Sequence, residues 1–167
     1  DDAQCAPASQ TCLRRIEADG SVDWTVGLGS DAVAASRENE HVIAVSTRPT
    51  GGLAHAEFDG NGRPIGPDLV LDAERDYVAL DDVAADGVGG MVVVSTLAPS
   101  NDRTAVVSRY DHAGDLVWDQ HEVANAAESM GFGVAIYEDA AFVCGIEDLT
   151  TGGLSTNGDV FAAKLRL

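Results

Sequence analysis

Tyr110-Asp111-His112-Ala113-Gly114-Asp115-Leu116-Val117-Trp118 is the stretch whose reading decides the fold. An apolar run ends at Tyr110, an acid follows, two residues intervene, and Gly114 opens a second apolar run that closes on Trp118. This is hairpin chemistry, because an Asp side chain bonds the backbone just ahead of it and Gly takes a positive φ. The pattern recurs upstream, in Ile16-Glu17-Ala18-Asp19-Gly20-Ser21-Val22-Asp23-Trp24 and in Phe58-Asp59-Gly60-Asn61-Gly62-Arg63-Pro64-Ile65-Gly66. The shared order is apolar, acidic, two variable residues, Gly, three variable residues, then Trp or Gly. Gly20, Gly62 and Gly114 are spaced 42 and 52 residues apart, and with Asp59, Asp111, Trp24 and Trp118 they are the candidate structural residues.

A second set falls between the hairpins. Val45-Ser46-Thr47 aligns with Val94-Ser95-Thr96 and then with Val143-Cys144-Gly145, each step being 49 residues. Each member ends an apolar run: Val42-Ile43-Ala44, Met91-Val92-Val93 and Ala141-Phe142. Farther upstream of each lies a Val-Ala pair: Val33-Ala34, Val83-Ala84 and Val134-Ala135. The runs have strand length and favour Val, which suits a pleated surface. Helix competes at two places, 31–41 and 123–130, on composition alone. The repeat register makes the first a strand and the second a loop, since their aligned partners carry Gly or Asp breakers.

Four short antiparallel strands in each period of roughly 40–50 residues is the signature of a β-propeller blade. The expected fold class is therefore all-β, with the Val-Ala segments innermost, the Val-Ser-Thr segments second, and the two arms of each Asp-x-x-Gly hairpin third and fourth. The Trp positions would cover the outer flank between blades. The chain starts on third and fourth strands, runs through two full blades and ends on first, second and third strands. That makes about thirteen strands, a little over three blades. Closed propellers have about four to eight blades. The chain is thus expected to be part of a longer propeller, to complete a ring with copies of itself, or to close an unusually small ring. An open end leaves unpaired edges and bare apolar faces, which favours the first two.

Gly158-Asp159-Val160-Phe161-Ala162-Ala163-Lys164-Leu165, followed in other repeats by the Asp-x-x-Gly-x-x-x-Trp hairpin, resembles the blade repeat of bacterial secreted β-propeller (SBBP-type) proteins. The hairpin also resembles pyrroloquinoline-quinone-type propeller blades, although no cofactor-binding residue carries over. The resemblance implies a propeller fold over nearly everything from Cys12 onward and implies little about activity.

Composition narrows the function further. The 167 residues hold 28 Asp plus Glu against 10 Lys plus Arg, for a net charge of −18, and Lys164 is the only lysine. Phosphate contacts need clustered cations, so a nucleic-acid partner is excluded, as is attraction to an anionic membrane. No apolar run has the length of a membrane-spanning helix. The acid excess fits a saline habitat or an acidic secreted bacterial protein. The chain opens Asp1-Asp2-Ala3-Gln4 without Met, which reads as a processed chain or a piece of a longer one. Residues 1–12 form an N-terminal segment ahead of the repeats at 13–167. Cys5 and Cys12 there are a candidate disulfide, which implies an oxidising, extracellular or periplasmic setting. No Cys/His cluster supports zinc. Cys144, inside an apolar run, is expected to be a small buried thiol.

No catalytic constellation stands out. His41, His55, His112 and His121 have no metal spacing, and His112 is expected at an exposed turn tip. There is no Gly-x-Ser-x-Gly elbow. Gly27-Leu28-Gly29 and Gly131-Phe132-Gly133 lack the rest of a phosphate loop. Asp81-Asp82, being adjacent on a strand, are expected to face opposite sides and to make poor acid/base partners. Asp59-Gly60-Asn61-Gly62 offers alternating oxygens but loses the calcium-loop pattern at Arg63-Pro64. No cofactor, metal or catalytic residue is expected. The leading expectation is a non-enzymatic extracellular propeller scaffold or binding module with a protein or glycan ligand. The alternatives are a propeller lectin or adhesin with pockets between blades, and a piece of a propeller enzyme.

Overall fold

Runs of β-branched residues broken by Asp-x-x-Gly turns leave the backbone little alternative to short paired strands. In a computed structural model, the structure describes residues 12–28, 33–38, 41–48, 50–73, 75, 77–97, 103–121, 128–147 and 158–167. They form thirteen strands: β1 (Cys12–Ile16), β2 (Val22–Gly27), β3 (Val33–Glu38), β4 (His41–Thr47), β5 (Leu53–Phe58), β6 (Leu69–Asp72), β7 (Tyr77–Ala85), β8 (Met91–Leu97), β9 (Thr104–Tyr110), β10 (Leu116–His121), β11 (Ser129–Tyr137), β12 (Ala140–Glu147) and β13 (Asp159–Arg166). Among the described residues there is no helix, hence none that could cross a membrane.

The strands make four antiparallel sheets with sequential neighbours paired: β1-β2, β3-β4-β5-β6, β7-β8-β9-β10 and β11-β12-β13. These are the blades of a propeller, a little over three of them. The Val-Ala pairs lie in the first strands β3, β7 and β11, and the Val-Ser-Thr runs in the second strands β4 and β8. Segment 31–41 contains strand β3. In segment 123–130, residues 123–127 lie outside the described residues and Ser129 opens β11.

The hairpin turns close as their chemistry requires. Asp59 Oδ1 accepts the N–H of Asn61 at 2.8 Å and of Arg63 at 2.9 Å. Asp111 Oδ1 accepts those of Ala113 at 2.9 Å and Asp115 at 3.0 Å. In the first hairpin the anchoring carboxylate is Asp19, not Glu17 at the pattern position, and it accepts from Ser21 N at 2.9 Å. Asp86 plays the same part between β7 and β8, holding Val88 N and Gly90 N, and it pairs with Arg109 Nη2 at 2.8 Å. Burial works against the charge of Asp86, but Arg109 and the two N–H donors outweigh it and hold the carboxyl below its usual range.

The core lies between sheets. β7 packs on β3 and β4, and β11 packs on β7, β8 and β9. Met91 and Val93 of β8 join Ile43, Val45, Leu53, Leu71, Leu80, Val83 and Tyr110 between the second and third sheets. Val92 and Val94 point the other way, to Ala105, Val107, Ala141, Val143 and Phe161 between the third and fourth. A strand buried on both faces reads as a continuous apolar run instead of alternating, which is why Met91-Val92-Val93-Val94 has no polar member.

The same parity corrects one expectation. Val45 and Val94 face the following sheet, whereas Val143 faces the preceding one. The third member of the 49-residue alignment is therefore out of register, and an odd slip turns every side chain to the other face. Cys144 is accordingly exposed rather than buried, and Phe142, not Val143, holds the position of Val45 and Val94.

Gly20 and Gly62 separate backbone strain from steric conflict. Gly20 has φ +86° and open space around a built Cβ, while Gly62 has φ +74° and a Cβ there would lie 2.6 Å from the Trp24 ring. Gly20→Ala should cost about 1–2 kcal/mol, the ordinary penalty of the left-handed region. Gly62→Ala should cost more, about 3 kcal/mol, and shift Trp24 fluorescence. Urea titration of both variants checks this, and equal costs would refute the contact.

Candidate functional site

Two neighbouring features stand out: a carboxylate pair at the seam between the third and fourth sheets, and the outer face of the fourth. Strand β7 shifts register between Leu80 and Asp82, and β11 shifts between Gly131 and Gly133, so the two innermost strands carry facing bulges. A bulge adds one residue and re-aims the side chains beside it. The adjacent Asp81 and Asp82 consequently both reach β11. A Cβ built on Gly131 would lie 3.5 Å from Asp81 Oδ2, and one on Gly133 would lie 3.6 Å from Asp82 Oδ2. This corrects the expectation of opposite faces, which holds only for an unbroken pleat.

The two carboxylates differ in surroundings. Asp82 Oδ2 accepts the N–H of Val134 from the next sheet at 2.9 Å, and Oδ1 accepts that of Val83 at 2.9 Å. Asp81 Oδ2 accepts the hydroxyl of fully buried Thr96 at 2.8 Å. Burial pushes the Asp81 carboxyl above its usual range; the Thr96 hydroxyl opposes this and the Asp82 charge adds to it.

From Asp82 a groove of about 550 Å³ runs outward over the fourth sheet. Its floor is Ala135 of β11, Phe142 and Cys144 of β12, and Ala162 of β13, with Lys164 at the side. Phe142 is 43% exposed, and Lys164 Nζ stands 5.5 Å from the centre of its ring. Cys144 Sγ sits 3.9 Å from the carbonyl of Gly133. The arrangement offers an apolar face with a carboxylate at the inner end and the single lysine outside. Among the described residues its titratable groups are the Asp82 carboxylate, the Cys144 thiol and the Lys164 amine.

The residues singled out from sequence are dispersed. Trp24 donates Nε1–H to Gly60 O at 3.0 Å, across the first and second sheets, and Trp118 packs against the layer between the third and fourth. Gly20, Gly62 and Gly114 all have positive φ at their turns. His41 contacts Glu57 at 2.6 Å near the surface, His112 is exposed in its turn, and His55 is buried. Asp59 spends Oδ1 on turn N–H groups, of which Arg63's does most to hold its carboxyl below the usual range. Among the described residues no three His, Cys, Asp or Glu come together as metal ligands. Cys5, Asp1 and Asp2 lie outside the described residues, and with them the Cys5–Cys12 pairing. The sequence leads one to expect bare apolar faces at an open end but not the residues of this one, because the slipped alignment turns Cys144 inward.

No family model and no curated protein matches the chain. Among solved structures it is similar to two single-site mutants of the Synechocystis apocarotenoid oxygenase. The likeness to one has TM-score 0.52 at 10% identity and to the other 0.50 at 9%; each covers 92% of this chain and 42% of that one. At that identity the likeness shows the fold alone: an all-β chain of propeller blades that spans about two fifths of the structures it matches.

The Asp pair yields opposite expectations for its members. The folded-state pKa of Asp81 lies above the unfolded value. Its favourable contribution is therefore full below the unfolded pKa and is lost as pH rises through the folded one. Asp81→Asn should be more stable than wild type at neutral pH, with the difference vanishing in acid. Asp82→Asn loses two charge-assisted bonds and should cost about 2 kcal/mol at neutral pH. Denaturant midpoints across acid and neutral buffers check both.

Proposed function

We propose that the chain is a non-enzymatic β-propeller scaffold or binding module whose fourth sheet docks a further propeller-type sheet. The docking sheet comes from a second copy of the chain or from the remainder of a longer propeller. The observation that carries this reading is Phe142. Val45 and Val94 hold the equivalent positions in the second and third sheets and are fully buried by the sheet that follows, while Phe142 is 43% exposed. The partner this face fits is an apolar, small-residue sheet face like those of β7 and β11. A net charge of −18 opposes self-association at low salt and is screened at high salt.

Light scattering at low and high salt tests the self-association form. Association should strengthen with salt, and Phe142→Asp should abolish it while changing unfolding stability by less than about 0.5 kcal/mol, as expected at an exposed position. A wild type that stays monomeric at every salt and concentration removes the second copy. A monomer that also fails to bind the flanking propeller sequence removes the docking reading altogether.

The setting that goes with this function is extracellular or periplasmic, with Cys5 and Cys12 joined. Alkylation of the unreduced protein should label one thiol, exposed Cys144, whereas all three cysteines label after reduction. Labelling of three without reduction counts against the disulfide.

A further inference from the structure

The layer between the second and third sheets contains a titratable group that does not belong in an apolar core. His55 on β5 is 5% exposed, and neither ring nitrogen has a hydrogen-bond partner. Register places it opposite Val45 on β4 and Leu69 on β6, on the face turned to the third sheet. Ser108, opposite Val93, enters the same layer from β9, and its Oγ is likewise buried without a partner. Among the described residues, the charged and titratable groups acting on His55 are Glu57 on its own strand, Asp68 ahead of β6, and His112 in the turn after β9. Tyr110 contributes a phenol from β9, and β4, β7 and β8 supply the aliphatic side chains Val45, Leu80, Val83, Met91 and Val93.

We propose that His55 makes this junction the acid-labile part of the molecule: a proton taken up by His55 opens the second sheet from the third, while the third and fourth stay together. A neutral imidazole tolerates the layer, whereas an imidazolium would be a charge without a bonded partner in it. Burial holds His55 below its ordinary range; Glu57 and Asp68 pull the other way and His112 adds to the burial effect. Once the junction opens, the ring is hydrated and titrates near its ordinary value of about 6.5. Opening is thus coupled to the uptake of one proton. The opening constant rises as pH falls, by up to about tenfold per pH unit between that ordinary value and the folded one. Among the described residues no other histidine is buried, and none lies in the layer between the third and fourth sheets. Asp81 at that seam responds in the opposite sense, since its proton favours the closed form. Acid also reduces the net charge, so general self-repulsion relaxes and does not account for loosening.

Native-state hydrogen exchange on the whole chain, corrected for intrinsic rates, tests this between about pH 7 and pH 5. Protection of β4 and β5 amides should fall by up to about tenfold per pH unit while that of β12 and β13 holds. His55→Leu and His55→Gln should remove the pH dependence, and His112→Gln should keep it. Equal loss across both junctions overturns the proposal, as does a His55→Gln protein with the wild-type dependence. Should neither His55 variant fold, the ring of His55 in wild type can be titrated by NMR, and a pKa at or above the ordinary value overturns it as well.

Discussion

The structure depends on the burial of one strand from both sides. β8 sits in the middle of the third sheet's inner half, with Met91 and Val93 turned to the second sheet and Val92 and Val94 to the fourth. Every side chain from Met91 to Thr96 is buried. Among the described residues, the apolar clusters on either side of the third sheet therefore meet in a single strand. Burying such β-branched side chains stabilises by about 1.5–3 kcal/mol each. Blades of a propeller are stable only as neighbours, because a lone four-stranded sheet leaves both faces in water.

Polar groups occur at the two junctions under different terms. Between the third and fourth sheets, Asp82 accepts backbone N–H groups from both sides and Asp81 accepts the Thr96 hydroxyl. Facing bulges and small Gly131 and Gly133 provide the room. Between the second and third sheets, His55 and Ser108 enter an aliphatic layer with no partner at all. At the first junction the carboxylates are held by hydrogen-bond donors. At the second no described group bonds the imidazole, and only the longer-range pull of Glu57 and Asp68 would offset a new charge. The stack is thus uneven in its response to pH although its sheets are repeats of one another.

The fourth sheet repeats the others up to the point where a neighbour would lie on it. Ala141, Val143 and Phe161 pack inward, and the alternate residues Phe142, Cys144 and Ala162 form an exposed apolar floor. Contiguous apolar surface of this kind marks an interaction site more often than it marks idle surface. Lys164 covers part of it, laying its stem and charge over the Phe142 ring. That is a way to keep such a face soluble until it is covered.

Much of the architecture was already legible in the chain. Hairpin turns announce themselves through Asp59, Asp111 and the glycines because their chemistry is local, completed within four residues of the Asp. Strand number and order follow from the period of those turns, and the doubly buried β8 from its unbroken apolar run. Tertiary structure decided what alternation alone could not. A one-residue slip in the last repeat put Cys144 on the wrong face, and a bulge at Asp81 brought two carboxylates to one side. Both depend on how a strand pairs with its neighbour, and a period of two carries no memory of an inserted residue. The burial of His55 is of the same kind: its strand reads as an ordinary half-polar one, and only the sheet packed over it turns the imidazole into a buried base.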